Sequence, residues 1–545
     1  MRRFGLAIAT ALSIGIPLLA AAAELPENFR ETIEQGIANG RYQSIAVALV
    51  ERNDSGFWRF GEIDPGGAKP TDADAYEIGS TTRSFTGLLL AKALIAGKLR
   101  LDEPLARIFS DVRIADRRLA AATLEQLATH RAGLPSVPPN LFPRDIENPY
   151  VGYDAAALRA YLAHAQLEAD IGRYHYSDLG VALLGDALAR AYGKDYRELL
   201  ATEVLAPLAL TQSGFGAVPR LIEGYRDGRA VPHWQHQALS AASGLRATLS
   251  DLTKFATAQL RPDTSALRAA ILLARQPRAA AGRGETALGW QIVPVVSDGQ
   301  TWPLLWQAGM TGGFASFVGL RTDRQRAVVL LGNAGIDLSA LGLTLLAEQP
   351  APPPPPKLLP LAAPATLAYE GLYRFDAGGD LVVRAAADGL VAQLGGALPQ
   401  PLLAYDEDAF EIAGENSQLT FERRDTKVAG AVLHRNGVHL HAERLSEGAP
   451  ALKRNSVASN PDDLAVYAGD YALSPSLRAR IVVAPPGLRA QLTGTAAVYV
   501  QACAADRFCD ADGTIEIAFT REGKGATALD WRQGVFEARA ERDDW

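Results

Sequence analysis

The sequence predicts an α/β domain, an antiparallel sheet flanked by helices with a helical insert, followed by two small antiparallel β-barrels. Three observations lead there. Residues 24–349 carry strand patterns at both ends and helical patterns between them. The run Pro350-Ala-Pro-Pro-Pro-Pro-Pro356 then holds an extended conformation that no helix or sheet interior accepts, which marks a boundary. Beyond it the chain repeats itself at a fixed offset of 98 residues.

In chain order, residues 1–23 read as a signal peptide. Arg2 and Arg3 supply the charge, Leu6 to Leu19 the apolar stretch and Ala21 to Ala23 a small-residue cleavage site. Gly15 and Pro17 break the run, which is too short for a membrane span. A periplasmic or secreted protein without stable membrane insertion after cleavage is expected. Removing the leader takes away two arginines and no acid, moving the formal charge from −7 to −9. A mildly acidic, well-mixed chain gives no electrostatic footprint for nucleic acid or anionic membrane. At 545 residues it exceeds a single core.

The first domain opens with a helix over Glu27–Ile37 and two strands, Ser44–Glu51 and Phe57–Gly61, joined by the Asn53–Gly56 turn. It closes with strands at Phe314–Leu320 and Arg326–Gly332 and a helix from Leu338 to Glu348. A linker covers residues 350–360, and the barrel modules cover 361–450 and 460–545. Tyr369-Glu-Gly-Leu-Tyr373 returns as Tyr467-Ala-Gly-Asp-Tyr471, Gly389–Gly396 as Gly487–Gly494, and Phe421 as Phe519. Short alternating segments separated by Gly, Asp and Asn turns give the barrels. Cys503 and Cys509 lie in the second repeat, and in an exported protein they are expected to form a local disulfide. His233-x-x-His236 and His439-x-His441 lack cysteine or acidic partners at ligand spacing, so they read as surface or loop residues and no metal or other cofactor is expected.

The chemistry concentrates at Tyr76-Glu-Ile-Gly-Ser-Thr-Thr-Arg-Ser-Phe-Thr-Gly-Leu-Leu-Leu90. Phe85, Leu88, Leu89 and Ile95 recur at helical spacing and Gly97 offers a stop. Ser80 thus sits at a helix N-terminus, where free N–H groups and the dipole favour negative charge on its oxygen. Residue 83 lies one turn later on the same face. Taken alone, the pattern equally describes a capping serine before an ordinary amphipathic helix.

With the flanking landmarks, the segment resembles the penicillin-recognising serine hydrolases, in the branch of class C β-lactamases, D-aminopeptidases and family VIII esterases. The landmarks, in order, are Leu99–Pro104, Thr123–Pro135, Leu205-Ala-Pro-Leu208, Ser243–Asp251 and Leu288-Gly-Trp290. No Gly-x-Ser-x-Gly occurs, which counts against an α/β-hydrolase. The resemblance implies a β-lactamase/transpeptidase-like fold over the first domain, with the barrels similar to those paired in D-aminopeptidases. It also implies three catalytic motifs. Ser-x-x-Lys stands here as Ser80-Thr-Thr-Arg83, Tyr-x-Asn as Tyr176-Ser-Asp178, and Lys-Thr-Gly or His-x-Gly as Gln307-Ala-Gly309. The family's third motif lies on an edge strand beside the serine, and the oxyanion hole would be the backbone N–H groups of Ser80 and Met310.

By that resemblance, Ser80 is the expected nucleophile and Tyr176 its base, with the Arg83 charge favouring tyrosinate. Arginine stays protonated at working pH and cannot itself be a base. Losing lysine's proton-transfer role costs ~10²–10⁴-fold. Two functions are therefore carried forward: a serine hydrolase forming an acyl-enzyme with a small ester, amide or peptide-like substrate, or a catalytically silent relative binding a peptidoglycan fragment, a peptide or a partner protein in the same cleft. Arg83 and Asp178, both changed, are expected to form an ion pair beneath Ser80.

Overall fold

The structure is a computed structural model. It describes residues 23–360, 366–447 and 464–543, apart from 53, 227, 298, 377, 387–388, 395–398, 414–416, 436–437, 511–513, 524 and 535. The expected signal peptide, all but its last residue, lies outside the described residues. Among them, no helix is long and apolar enough to cross a membrane.

Residues Ser44–Glu51 (β1) and Asp54–Gly61 (β2) form the opening hairpin. The strand begins earlier than the Asn53–Gly56 turn predicted. Glu51 pairs with Asp54, and Arg52 takes a left-handed φ of 49°, so the chain reverses in two residues. Late in the domain come Ala279–Ala281 (β3), Gly284–Thr286 (β4), Gln291–Ser297 (β5), Gln300–Met310 (β6), Ala315–Arg321 (β7) and Arg326–Gly332 (β8). Among the described residues they make one antiparallel sheet in the order β2-β1-β8-β7-β6-β5-β4-β3. The two ends of the domain therefore meet at its centre, with Ile45 opposite Gly332 and Glu51 opposite Arg326.

The period-two pattern of β1 explains its place. Ala46, Ala48 and Val50 face one core, Ile45, Val47 and Leu49 the other, and every one is buried. Helices Glu27–Ala38 (α1) and Ser339–Leu346 (α5) cover the second face. The larger core holds Thr82–Ile95 (α2), Asp178–Tyr192 (α3) and Leu249–Leu260 (α4). Each fully buried aliphatic side chain contributes ~1.5–3 kcal/mol, so this three-layer core fixes the site rigidly. α2 is buried on nearly all sides, and of the residues that set its period only Ile95 is exposed, at the end where Gly97 turns the chain with φ 65°.

Two closed barrels of eight described strands each follow, from Gly371–Phe375 to Val438–Glu447 and from Gly469–Ala472 to Phe536–Arg542. The duplication is visible atom by atom. Tyr373 Oη donates to Tyr369 O at 2.7 Å, as Tyr471 Oη does to Tyr467 O at 2.8 Å. Phe421 N donates to Asp408 O and Phe519 N to Asp506 O, both at 2.8 Å. Cys503 and Cys509 are disulfide-bonded across one hairpin of the second barrel.

The proline segment is no free spacer. Thr32 Oγ1 donates to Pro352 O (3.1 Å), Asn39 Nδ2 to Pro355 O (2.9 Å) and Arg41 Nη1 to Pro356 O (3.0 Å). Prolines have no N–H, yet each carbonyl can accept, and α1 and the turn that follows it supply the donors.

Candidate active site

Ser80 lies in a single 3₁₀ turn, Gly79–Thr81, that runs directly into α2. Glycine is required at 79, where φ is 48° and an added Cβ would stand 2.7 Å from Met310 N. It is required at 309 for space, because a Cβ there would meet Ile78 O at 2.0 Å and Ser80 N at 2.6 Å. The backbones of 78–81 and 309–310 are thereby pressed together. Ser316 Oγ donates to Ile78 O at 2.7 Å and lies 2.8 Å from Thr81 Oγ1, tying the turn to β7 as well. β6 is an interior strand, but β5 pairs with it only through Trp306, so residues 307–310 have a free edge beside the serine.

Tyr176 and Asp178 come from the start of α3, where the Ser177 side chain caps the helix by accepting from Gly180 N at 2.9 Å. Arg83 meets both. Its Nη2 donates to Ser80 Oγ at 2.7 Å, to Asp178 Oδ1 at 2.5 Å, and to Tyr176 Oη. Ser80 Oγ and Tyr176 Oη are 3.5 Å apart, and Tyr176 Oη is 3.3 Å from Asp178 Oδ1. The Arg83–Asp178 ion pair is present and buried, its side chains 3% and 16% exposed. It engages one nitrogen of the guanidinium rather than a two-pronged fork, and Arg83 Nε is buried without a partner. An Nη2 group carries two hydrogens and here faces three oxygens, a load that suits an ammonium's three donors better.

Electrostatics correct one expectation. Burial pushes the Tyr176 hydroxyl above its ordinary value, and the Asp178 carboxylate adds to this, outweighing the pull of Arg83 and of the bonds from Ser80 and Arg83. Tyr176 rests as the neutral phenol, not as tyrosinate. For Arg83, burial works against the charge, but Tyr176 and Asp178 outweigh it and its pKa rises, so it stays protonated.

Gln307 is buried, with Nε2 donating to Gly289 O at 3.1 Å and Oε1 without a partner, and is hydrogen-bonded to none of Ser80, Arg83, Tyr176 and Asp178. Met310 is half-exposed at the strand's end. Cys503 and Cys509 lie in the second barrel, outside the cluster.

Sequence reasoning missed the residues around this centre. His130 is buried and held below its usual range, at about 3, by burial and the nearby Arg83 charge. It is neutral, accepts from Ser177 N at 3.2 Å on Nδ1, and lies parallel to the Tyr176 ring with centroids 5.0 Å apart. Tyr150 packs edge-on to Trp234 and parallel to His236, with 5.4 Å between centroids in each pair. His236 belongs to a loop, as expected, but is buried rather than at the surface, because that aromatic stack covers it. Arg226 Nε donates to Gly312 O (3.1 Å) and its Nη1 pairs with Glu147 (3.2 Å), while Trp234 Nε1 donates to Glu147 O (2.8 Å). The Thr123–Pro135 landmark contains His130. Nothing periodic marks the others.

A cavity of about 1040 Å³ lies along α3 beyond Trp234 and His236, lined by Tyr196, Phe215 and Arg246 but not by Ser80. Among the described residues, no three His, Cys, Asp or Glu side chains gather as a metal site would need.

Comparison with known proteins agrees with this architecture. The family described as Beta-lactamase matches residues 29–347. A Beta-lactamase of Escherichia coli (strain K12) is 24% identical over 351 residues, 58% of this chain and 90% of that one. The D-alanyl-D-alanine-carboxypeptidase/endopeptidase AmpH of the same organism is 29% identical over 227 residues, 40% of this chain and 58% of its own length. The human Putative beta-lactamase-like 1 is 28% identical over 382 residues, 62% of this chain and 73% of that protein. Among solved structures, a class C beta lactamase from Rhodobacter sphaeroides superposes with a TM-score of 0.51 at 20% identity, covering 57% of this chain and 95% of its own, a likeness of fold. The chain belongs to the Beta-lactamase family.

Proposed function

We propose that this protein is a serine hydrolase, exported from the cytoplasm, that forms an acyl-enzyme at Ser80 with a small ester, amide or peptide-like substrate. The observation that carries the reading is the single cluster of Ser80 Oγ, Tyr176 Oη and Asp178 Oδ1 around Arg83 Nη2, set at the first turn of α2 against the backbone of Gly309 and Met310. Because Tyr176 is neutral, it serves as a relay. As Ser80 Oγ attacks the carbonyl carbon, its proton passes to Tyr176 and the phenol proton to Asp178, 3.3 Å away; when the scissile bond breaks, the same relay hands a proton to the leaving oxygen or nitrogen. Arg83 holds the three oxygens in place and stabilises the negative charge in transit. The developing oxyanion is received by the N–H groups of Ser80 and Met310. Gln307 contributes by fixing β6 to Gly289. The disulfide supports the exported location, since such bonds persist in oxidising compartments.

A burst experiment tests this. Mixed with a p-nitrophenyl acyl ester, the protein should release one equivalent of nitrophenol quickly and the rest slowly, and Ser80→Ala should abolish the burst. Hydrolysis unchanged by Ser80→Ala would overturn the reading.

One observation favours the second function, a silent binding protein. Arg83 Nη2 donates to Ser80 Oγ while also holding Asp178, so the arginine engages the nucleophile's lone pair and the acceptor of the relay at once. On that reading peptidoglycan fragments or peptides bind near Ser80 and leave unchanged.

A further inference from the structure

The two repeats use one position in the same way. Gln393 and Gln491 lie 98 residues apart on equivalent strands, Gly389–Leu394 and Gly487–Leu492. Each donates its side-chain Nε2 to a backbone carbonyl of the next body at 2.7 Å. Gln393 reaches Gln533 O in the second barrel, and Gln491 reaches Pro143 O in the hydrolase domain. The strand face that joins barrel to barrel in the first repeat therefore joins barrel to hydrolase domain in the second.

The segment it meets holds itself only by isolated turns, such as Leu141 N to Pro138 O at 2.9 Å and Tyr153 N to Tyr150 O at 3.1 Å. Residues 131–153 contain no helix or strand, and Pro138, Pro139 and Pro143 bring no N–H groups. Carbonyls there need donors from elsewhere. The second barrel supplies them at alternate residues. Thr493 Oγ1 donates to Pro139 O at 2.6 Å, Gly494 N to Leu141 O at 2.9 Å, and Gln491 Nε2 to Pro143 O. Between them, the Arg480 guanidinium lies 4.1 Å from the Phe142 ring centroid, itself held by two 2.8 Å bonds to Asp470.

The same segment builds the site. Just upstream, Ser136 O accepts from Asp178 N at 2.9 Å and Leu179 N at 3.2 Å, and Pro135 O accepts from Ser177 Oγ at 2.5 Å. Just downstream, Asn148 Oδ1 accepts from Gln235 N at 2.9 Å, and Tyr150 packs on Trp234 and His236. In between, Asn140 is fixed to Ala157 O and to Tyr153 Oη.

We infer that the second barrel is a positioning module for the active site: its grip on residues 139–143 sets the Tyr176-Ser177-Asp178 turn on one side and the Tyr150–Trp234 wall on the other. Its catalytic consequence rests on Ser80 being the nucleophile. Its structural consequence does not.

The test uses the full-length protein carrying Gln491→Leu with Thr493→Val. Both side-chain bonds from the barrel to residues 139 and 143 are lost, together with those the same side chains make inside the barrel, Gln491 Nε2 to Thr495 O and Arg478 N to Thr493 Oγ1. Amide hydrogen exchange across 139–150 and at 177–180 should therefore accelerate about tenfold, while the core strands β1 and β8 keep their protection. Ser80 acylation by a fluorophosphonate should slow in step, and Gln491→Leu alone, which leaves the Thr493 hydroxyl in place, should lose less of both. Unchanged exchange at 139–150 and 177–180 overturns the inference whatever the reactivity. Faster exchange with unchanged acylation overturns the link from grip to site. Faster exchange in a protein whose parent never reacts supports the grip and sinks the hydrolase reading. Should the double variant lose protection everywhere, Arg480→Met removes the Phe142 contact and the Asp470 pair within the barrel while leaving the bonds to residues 139, 141 and 143, and local acceleration at 139–143 is required instead.

Discussion

Arg83 stands where the family resemblance implies a lysine, and the structure is most informative there. Its one nitrogen takes the central place among Ser80, Tyr176 and Asp178, so removing it strands a carboxylate in a nearly buried site. Arg83→Ala should lower stability by ~3–5 kcal/mol, measured by denaturant unfolding. Arg83→Lys with Asp178→Asn should raise the acylation rate above that of the parent, and Arg83→Lys alone should do less, in stopped-flow burst measurements. No gain in the double variant would show that the arginine does not limit the chemistry. The buried histidines give a pH signature. His130 and His236 are both pushed down to about 3 from 6.5 by burial, helped by Arg83 and Arg246 respectively. Between those values the unfolded chain binds protons that the native protein does not, so stability rises with pH. It is fully present above about 6.5 and is lost as pH falls toward 3. Thermal melts from pH 7 to 5 should show a falling midpoint, and His236→Gln should flatten that fall.

Single elements bring these residues together by backbone contact. Gly309 lets β6 press on the Ser80 turn, and Gly309→Ala would force its Cβ onto Ile78 O. It should cost about 1–3 kcal/mol by overpacking and suppress labelling of Ser80, because the strand must retreat from the turn. The hairpins and α2 were legible because each is written in local periodicity and turn residues, whereas Tyr176-Ser-Asp178 was reached only through the family resemblance and its Ser177 cap emerged from the structure. Tyr176's neutrality was not legible, since it depends on how much of the fold buries that ring. The actual use of Gln307 was equally hidden. A motif position shows which strand the side chain stands on, but the Gly289 carbonyl that receives it lies on a separate loop. Tyr150, Trp234 and Arg226 sit in segments with neither period nor motif, and only long-range packing assembles them.

Across the whole molecule, the proline run predicts a boundary; residues 350–360 carry no helix or strand, yet contacts cross them. Beyond the linker bonds to α1, Arg41 pairs with Glu411 of the first barrel at 2.7 Å, both side chains largely buried. Arg41→Ala should cost about 1.5–3 kcal/mol for the charged bonds lost, read from the unfolding midpoint. Residues 24–349 expressed alone should still fold cooperatively around the three-layer core, but melt several degrees below the parent. An equal melting point would mean that the barrels contribute nothing to the hydrolase domain. Composition and repeats showed that the barrels exist. Which carbonyls they hold could not be read, because docking needs surfaces from segments more than three hundred residues apart.

The central claim is that Ser80 is a working nucleophile despite Arg83. Peptide mass spectrometry of the full-length protein after exposure to a fluorophosphonate tests it most directly. The account predicts a single adduct on Ser80, lost in Ser80→Ala and slowed in Tyr176→Phe. An unmodified Ser80 in a folded protein, or an adduct on another serine, would contradict it.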